Sequence, residues 1–259
     1  MNKNVRLLLE HSMKKYKGNI HSIETLGTFD GPGVRYVLFL QGCPFQCKYC
    51  HNRDTWSTKS NHLMTVEEIL NDYDKYKHFY KNGGLTASGG DPMLQASFLI
   101  ELFKEAQAKG IHTCLDTAAS CYTANANEKY VELLKYTNLV LLDIKHIDSD
   151  KHRTITGFSN DHVLSFAKLL DELHIPVVIR HVLVPGLTDE AKDLYALRTF
   201  LNTLSNVKRI EVLPYHTKGR MKWEQMGLDY PLPDTVEPTE AEVKKAEKIL
   251  TDNYHFYTL

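Results

Sequence analysis

Three of the five cysteines in this 259-residue chain fall within eight positions, in CPFQCKYC at residues 43–50. Cys43, Cys47 and Cys50 form a CxxxCxxC pattern, while Cys114 and Cys121 lie far along the chain. Thiolates are soft donors that select zinc or iron–sulfur clusters over hard cations. Structural zinc takes four protein ligands and closes its site. His51 could be the fourth, but it adjoins Cys50, and neighbouring residues rarely reach one tetrahedral ion well. A four-iron cluster ordinarily takes four cysteines. Three leave one iron open to an exogenous ligand, much as a catalytic zinc keeps an open position. The spacing therefore favours a 4Fe-4S cluster completed by a substrate or cofactor, with a zinc knuckle or three inert buried thiols as the alternatives.

The elements that must position such a centre follow from hydrophobic patterning. Six segments, 34–41, 84–88, 111–116, 139–145, 177–184 and 209–213, are short, mostly apolar and rich in branched side chains, with little polar alternation. Parallel strands covered on both faces have this composition. Helical patterns separate them. Thr65 and Glu68 make a capping box, and that helix should stop before Gly83-Gly84. Phe98, Leu99, Leu102, Phe103 and Ala106 mark one apolar face ended by Gly110, and Val131, Leu133 and Leu134 suggest a further helix. Another runs over 163–173, closed by Pro176. The next starts at Thr188, Asp189 and Glu190, with Leu194, Leu197, Leu201 and Leu204 facing inward. The last opens at Thr239 with a second capping box through Glu242. Such alternation predicts a parallel α/β fold, either an open barrel or a doubly wound sheet.

Both architectures place chemistry at the C-terminal ends of strands. The cysteines follow the first strand, and Gly89, Gly90 and Asp91 follow the second. Asp116 and Thr117 end the third, Asp143 and Lys145 close the fourth, Arg180 lies on the fifth, and His216 follows the sixth in LPYH. Asp143 and Lys145 are two apart on a strand and point to one side; a plain ion pair is the alternative. Asp116, Thr117 and Asp143 bring together hard oxygen donors suited to a cation, although Asp116 or Thr117 could instead cap the next helix. The glycine pair could be only a tight turn, and His216 only a partly exposed histidine. Arg180 is suited to meet a carboxylate, or else forms a salt bridge inside the barrel mouth. Residues 216–238 form a long connection carrying Trp223, Tyr230 and three prolines, which predicts a functional loop.

The composition sets outer limits. The chain shows no compositional break and is expected to form one domain, 1–259. Its formal net charge of −1 gives no reason to expect nucleic acid or an anionic membrane as partner. Near the N-terminus the apolar run is only Leu7–Leu9, short of the about 7–15 residues of a signal peptide. No stretch approaches the ~20 apolar residues of a membrane span. A cytoplasmic protein is expected, in which thiols stay reduced and clustered cysteines favour metal.

The cysteine pattern, with Tyr49 before its last member, resembles the signature of radical S-adenosylmethionine enzymes. The likeness extends from Gly18 to the C-terminus and is closest to the glycyl radical enzyme activases. It is carried by GTFDGPGVR (27–35), QGCPFQCKYCHNRDTW (41–56), TASGGDP (86–92), GIHTCLDT (110–117), LLDIKH (141–146), VPGLTD (184–189) and LPYHTKGRMKW (213–223). Residues 1–17 precede it as an N-terminal extension without assigned role.

The resemblance implies a partial (β/α)6 barrel of parallel strands. It implies that the open iron binds S-adenosylmethionine, whose reductive cleavage gives methionine and a 5'-deoxyadenosyl radical that abstracts a hydrogen atom. Cys43, Cys47 and Cys50 are then the cluster ligands, with Lys145 near the cofactor carboxylate. Tyr49, His51, Asn52, Gly89, Gly90, Asp91, Asp143, Ile144, Arg180 and His216 join Lys145 in holding the cofactor. Asp91 replaces the Glu usual at the end of the family's GGE segment, so that contact must come from the backbone or from a shorter side chain. Asp116, Thr117 and Asp143 are implied to hold a monovalent cation. The implied partners are pyruvate formate-lyase, whose glycine loses the hydrogen, and flavodoxin or ferredoxin as electron donor, with the chain acting as a monomer. The Asp30-Gly31-Pro32-Gly33 loop, otherwise a simple turn, is implied to approach the partner's glycine loop. Thr217 to Trp223 is a second candidate for recognition, since basic and aromatic residues are common at interfaces.

Activases of other glycyl radical enzymes are the nearest alternative. Those of glycerol dehydratase or aromatic decarboxylases usually carry an inserted cysteine-rich region, and the stretch between Cys50 and Gly84 holds no cysteine. The anaerobic ribonucleotide reductase activase is much shorter. A non-catalytic iron–sulfur or zinc redox-sensing module would explain the cysteines, but not the polar groups gathered at successive strand ends.

Overall fold

The computed structural model describes residues 16–59, 61–252 and 254. Most of the N-terminal extension, residues 1–15, lies outside the described residues. Eight strands form one sheet: β1 (Lys17–Gly27), β2 (Arg35–Leu40), β3 (His62–Thr65), β4 (Gly84–Gly89), β5 (Thr113–Thr117), β6 (Leu139–Asp143), β7 (Val177–Leu183) and β8 (Val207–Pro214). Their order is β3-β1-β2-β4-β5-β6-β7-β8, and the sheet does not close. The run from β2 through β4 to β8 is parallel throughout, six strands matching the six apolar segments of the sequence. β1 is antiparallel to both β2 and β3 and adds an edge that the sequence reading did not anticipate. The result is a partial (β/α)6 barrel with a two-strand antiparallel extension.

The helices are α1 (Val66–Tyr76), α2 (Ala96–Ala108), α3 (Asn127–Leu134), α4 (Ser149–Thr156), α5 (Asp161–Glu172), α6 (Ala191–Leu201), α7 (Arg220–Gln225) and α8 (Glu240–Thr251). Both expected capping boxes form. Thr65 accepts from the Glu68 N–H and Thr239 from the Glu242 N–H, while each glutamate side chain accepts from the cap's own N–H. Each box satisfies donors that would otherwise be left open at a helix start, worth about 1 kcal/mol. The α2 face is buried as its spacing requires, with Phe98, Leu99, Leu102, Phe103 and Ala106 all in the core. Complete burial of such a side chain contributes about 1.5–3 kcal/mol. Among the described residues no helix is long and apolar enough to cross a membrane.

Two core clusters matter for the site. The large one lies between the sheet and its helices. A smaller one sits below the cysteine loop and joins Tyr49, Ile155, Val184, Tyr215, Trp223, Tyr230 and Leu232. The 216–238 connection, which the sequence marked as a functional loop, thus supplies part of the foundation of that loop.

Candidate active site

Residues 41–56 leave the C-terminal end of β2 and fold over the barrel mouth. The loop is fixed by backbone hydrogen bonds on three sides. Gly42 and Cys43 donate to Thr55 O at 2.7 Å and Trp56 O at 3.3 Å. Gln46 and Lys48 donate to Thr156 O at 2.8 Å and Ile155 O at 3.0 Å. Those two carbonyls belong to the last turn of α4, where helical acceptors have no partner of their own. Gly157, at φ 90°, turns the chain away so that they stay available. From below, the Trp223 indole donates to Cys50 O at 3.0 Å.

Next to this loop, β4 runs into Gly89 and Gly90. The Gly90 and Asp91 N–H groups donate to Leu40 O at 2.9 Å and Gly42 O at 2.8 Å. A Cβ on Gly90 would lie 2.2 Å from Gly42 O, so glycine is required by the close approach of two backbones.

Between loop and strand ends lies a cavity of about 280 Å³. One wall carries Cys43, Cys47 and Cys50 with Phe45, Tyr49, His51, Asn52 and Trp56. The other carries Ser88, Gly89, Gly90, Asp116, Thr117, Asp143, Lys145 and Arg180. Most of the residues expected at the site meet here, drawn from four strand ends and the loop after β2.

The charged wall is a chain of pairs. Lys145 donates to Asp143 at 2.7 Å. Arg180 reaches Asp116 at 3.3 Å and Glu211 at 3.1 Å, and also donates to Phe29 O. Burial works against the charge on Lys145, but Asp143, Tyr49 and Cys47 more than offset it and hold the ammonium well above the usual lysine range. For Arg180, Asp116, Asp143 and Glu211 likewise overcome burial. Burial raises the Asp116 carboxyl despite Arg180, and the neighbouring Asp143 adds to the effect.

The thiol wall is nearly dry. Burial pushes Cys47 up to about 12, and raises Cys43 and Cys50 as well. Against that trend, the Trp56 indole donates to Cys50 Sγ at 3.2 Å, and backbone N–H groups of Phe45 and Asn52 favour the thiolates of Cys43 and Cys50. Donors aimed at sulfur in a dry wall fit an anionic metal–sulfur cluster, in which metal replaces the thiol protons. Among the described residues no three His, Cys, Asp or Glu side chains are grouped to hold a single metal ion. The Tyr49 hydroxyl is buried beside this wall without a partner.

Three expected cofactor contacts are not on the cavity surface. Asp91 is completely buried below the turn. Its carboxylate accepts from Met93 N, Thr117 Oγ1, Ser120 N and Ser120 Oγ at 3.1, 2.7, 2.7 and 2.5 Å, which uses its lone pairs inside the protein. This segment therefore presents the backbone of Gly89 and Gly90 to the cavity, not the Asp91 side chain. Ile144 is also fully buried, its carbonyl accepting from His181 Nδ1 at 2.9 Å. The His216 ring stacks on His51 at 3.9 Å and reaches the cavity only through it.

At the expected cation position both carboxylates already face protein cations, and Thr117 Oγ1 is engaged with Asp91 and the Ala119 N–H. Within the Thr217–Trp223 segment the tryptophan differs from expectation. Trp223 is buried against Trp56 and Tyr230, and Lys222 pairs with Asp54 at 3.1 Å, so this tryptophan supports the loop instead of offering a surface.

Two residues of interest escaped the sequence reading. Trp56 ends the segment QGCPFQCKYCHNRDTW, but nothing in its spacing announces a bond to sulfur. Phe29 is 87% exposed on the loop between β1 and β2, beside a second cavity of about 560 Å³ that shares Arg180 with the first. The sequence offers only a large aromatic within the glycine-rich stretch GTFDGPG, with nothing to show its exposure.

Comparison with known proteins agrees with this geometry. Residues 37–197 match the model of the Radical SAM superfamily. A pyruvate formate-lyase-activating enzyme of Staphylococcus epidermidis is 48% identical over 242 residues, covering 92% of this chain and 96% of the relative. Its counterpart from Staphylococcus aureus is 49% identical over 235 residues, covering 89% and 94%. Among solved structures, a domain of a pyruvate-formate lyase-activating enzyme from Bacteroides vulgatus superposes with a TM-score of 0.55 at 29% identity, covering 66% of this chain and 94% of that domain.

Proposed function

The chain belongs to the Radical SAM superfamily, and from that premise we propose that it activates pyruvate formate-lyase by generating a glycyl radical in it. The observation that carries this reading is the two-walled cavity, with three cysteines opposite Lys145, Arg180 and the Gly89-Gly90 backbone. When bound, a 4Fe-4S cluster and S-adenosylmethionine supply the chemistry: reductive cleavage to methionine and a 5'-deoxyadenosyl radical, which takes a hydrogen atom from a glycine of the partner.

The chain's own residues bind, orient and exclude water. Cys43, Cys47 and Cys50 would hold the cluster, one thiolate fewer than the four such a cluster ordinarily takes. Lys145 and Arg180 offer their positive charge to the cofactor carboxylate, and the Gly89-Gly90 backbone receives its amino group. Asp116, Thr117 and Asp143 would supply the oxygen donors for a monovalent cation beside the cofactor. Tyr49, His51 and Asn52 close the adenosyl side. The Phe29–Gly33 loop beside Arg180 is where the partner's glycine loop would approach, with Phe29 free to pack on it. We place the protein in the cytoplasm, acting as a monomer on pyruvate formate-lyase, with flavodoxin or ferredoxin as donor.

The test is anaerobic. Iron-reconstituted protein, reductant, S-adenosylmethionine and pyruvate formate-lyase are mixed, and electron paramagnetic resonance and 5'-deoxyadenosine are recorded together. A glycine-centred radical with matching 5'-deoxyadenosine is expected. Cleavage without a protein radical would remove the partner from the proposal, and neither signal from cluster-loaded protein would remove the activity.

A further inference from the structure

The chain is nearly neutral overall, with 31 basic and 32 acidic side chains. The face beside Cys50 is not. Residues 51–59 and 216–226 carry five cations, Arg53, Lys59, Lys218, Arg220 and Lys222, against the acids Asp54 and Glu224, with Glu237 joining the face through Thr217 N at 3.0 Å. Of those acids, Asp54 is already held by Lys222 at 3.1 Å and His21 at 3.0 Å. Lys59 and Lys218 are exposed. The two stretches are joined in space by Lys222 on Asp54, by the Arg53 guanidinium 4.1 Å over Trp56 and 5.4 Å from Trp223, and by Gly219 packed on His51.

Under this face lies a short path to sulfur. Half-buried Trp56 donates to Cys50 Sγ at 3.2 Å, and Trp223 meets Trp56 edge-on at 5.5 Å. Of the three cysteines, Cys50 is clasped by this face through both indoles. A carrier seated here would be separated from a cluster ligand by a single indole ring. The cavity's charged wall, where a glycine would have to enter, belongs to other elements.

We infer that this basic face is the docking surface for an acidic one-electron carrier protein, and that Trp56 and Cys50 mark the point where its electron enters. The inference rests on the cluster reading of the site. The step is one electron from the reduced carrier to the cluster, which passes from the 2+ to the 1+ state while the carrier is oxidised by one electron. No proton need move. Positive charge around the entry point steers an acidic partner and raises its encounter rate.

The test uses reconstituted full-length protein, wild type and a Lys59→Glu/Lys218→Glu variant, with reduced flavodoxin as probe and dithionite as small-molecule control. Cluster absorbance is confirmed before mixing, and its bleaching is followed anaerobically. At low salt the variant should be reduced by flavodoxin about tenfold more slowly, with the gap closing at high salt. Its reduction by dithionite should match wild type. Equal flavodoxin rates in both proteins would overturn the surface. So would a matching loss with dithionite, which would mean damage at the cluster. A raised KM for pyruvate formate-lyase in dithionite-driven activation, with flavodoxin reduction intact, would give the face to the protein substrate and overturn the assignment. Absence of a cluster in wild type would fail the underlying reading instead, and the initial absorbance separates that case.

Discussion

Among the described residues two arginines are buried in the barrel, toward opposite ends, and their surroundings differ in kind. Arg35 stands at the N-terminal end of β2 and is 0% exposed. It donates to Thr86 Oγ1, Leu85 O and His112 O at 2.9, 2.7 and 3.3 Å, and lies 3.2 Å from His112 Nδ1. All are neutral acceptors, and burial lowers its basicity. Arg180, near the mouth, is 9% exposed and is held by carboxylates that raise its basicity. The lower cluster is satisfied by neutral groups of the protein, with Thr86 Oγ1 donating onward to Asp30 O at 2.7 Å. The upper one holds paired charges facing a cavity, raised thiols and an unpartnered Tyr49 hydroxyl. Saturation makes a plug; open valence makes a site. Changes at the mouth should therefore alter chemistry with little effect on folding, and changes at the base should do the reverse.

The largest effect tests the first half of that statement. Cys47→Ser should abolish the cluster and all S-adenosylmethionine cleavage, because two thiolates leave the irons undersupported. The unfolding free energy of the cluster-free protein should change by only about 1 kcal/mol, because Cys47 lines the cavity and a serine hydroxyl there is not sealed in the core. Retained cluster absorbance with full activity would break the ligand assignment. Arg35→Met tests the other half. It strips three buried acceptors of their donor and should lower stability by about 3–5 kcal/mol, read from denaturant unfolding of the cluster-free protein. The folded fraction should bind S-adenosylmethionine, once reconstituted, as wild type does. A pure loss of affinity with unchanged stability would make the two ends alike and end the comparison.

Lys145→Ala is the intermediate case. It removes one charge-assisted contact from the mouth, and cofactor affinity should fall about 10–100-fold by calorimetry on protein with an intact cluster spectrum. Unchanged affinity would take Lys145 out of the site. Replacement by Arg should restore only part of the affinity, since a planar fork does not reproduce a compact ammonium.

Much of this arrangement was legible in the sequence, for identifiable reasons. The six parallel strands are buried on both faces, so each appears as an uninterrupted apolar run. β1 does not, because register shifts at Ile20/Ser22 and Glu24/Gly27 place Ile20, Ile23 and Leu26 three apart and erase the two-residue period of a strand. β3 has only four residues, none of them buried. α4 reads SDKHRTIT and buries only His152, Ile155 and Thr156, too few for an apolar face to announce it. At the site, cysteine spacing and strand-end position were enough to gather the two walls. They could not show which way Asp91 turns, since that depends on Thr117 and Ser120 arriving from another strand end. Nor could they separate an aromatic that supports, Trp223, from one that is offered, Phe29. Composition is the same for both; only packing distinguishes them.

The smallest effect belongs to the plug and concerns pH. His112 Nδ1 faces Arg35, and its cavity is bordered by Lys77, Lys81 and Lys109, with Asp74 paired to Lys109 at 3.1 Å. Burial first, and Arg35 second, lower His112 from 6.5 to about 4. The unfolded chain therefore binds more protons than the folded one between those values, and stability rises with pH across that window. On acidification from neutrality it should decline as pH falls through about 6.5 and level off below about 4. Since His112 is partly exposed, the part due to it between pH 7 and 5 should be only about 1 kcal/mol after solvent screening. His112→Asn can keep an acceptor near Arg35 without a titrating ring, and should flatten this part of the profile. The measurement is the denaturant midpoint of cluster-free protein at closely spaced pH, wild type against variant. An identical slope in both would show that the lower end is not the titrating element and that acid lability arises elsewhere, with the raised carboxyl of Asp116 excluded by sign, because a raised carboxyl pKa makes acid stabilising over its own window.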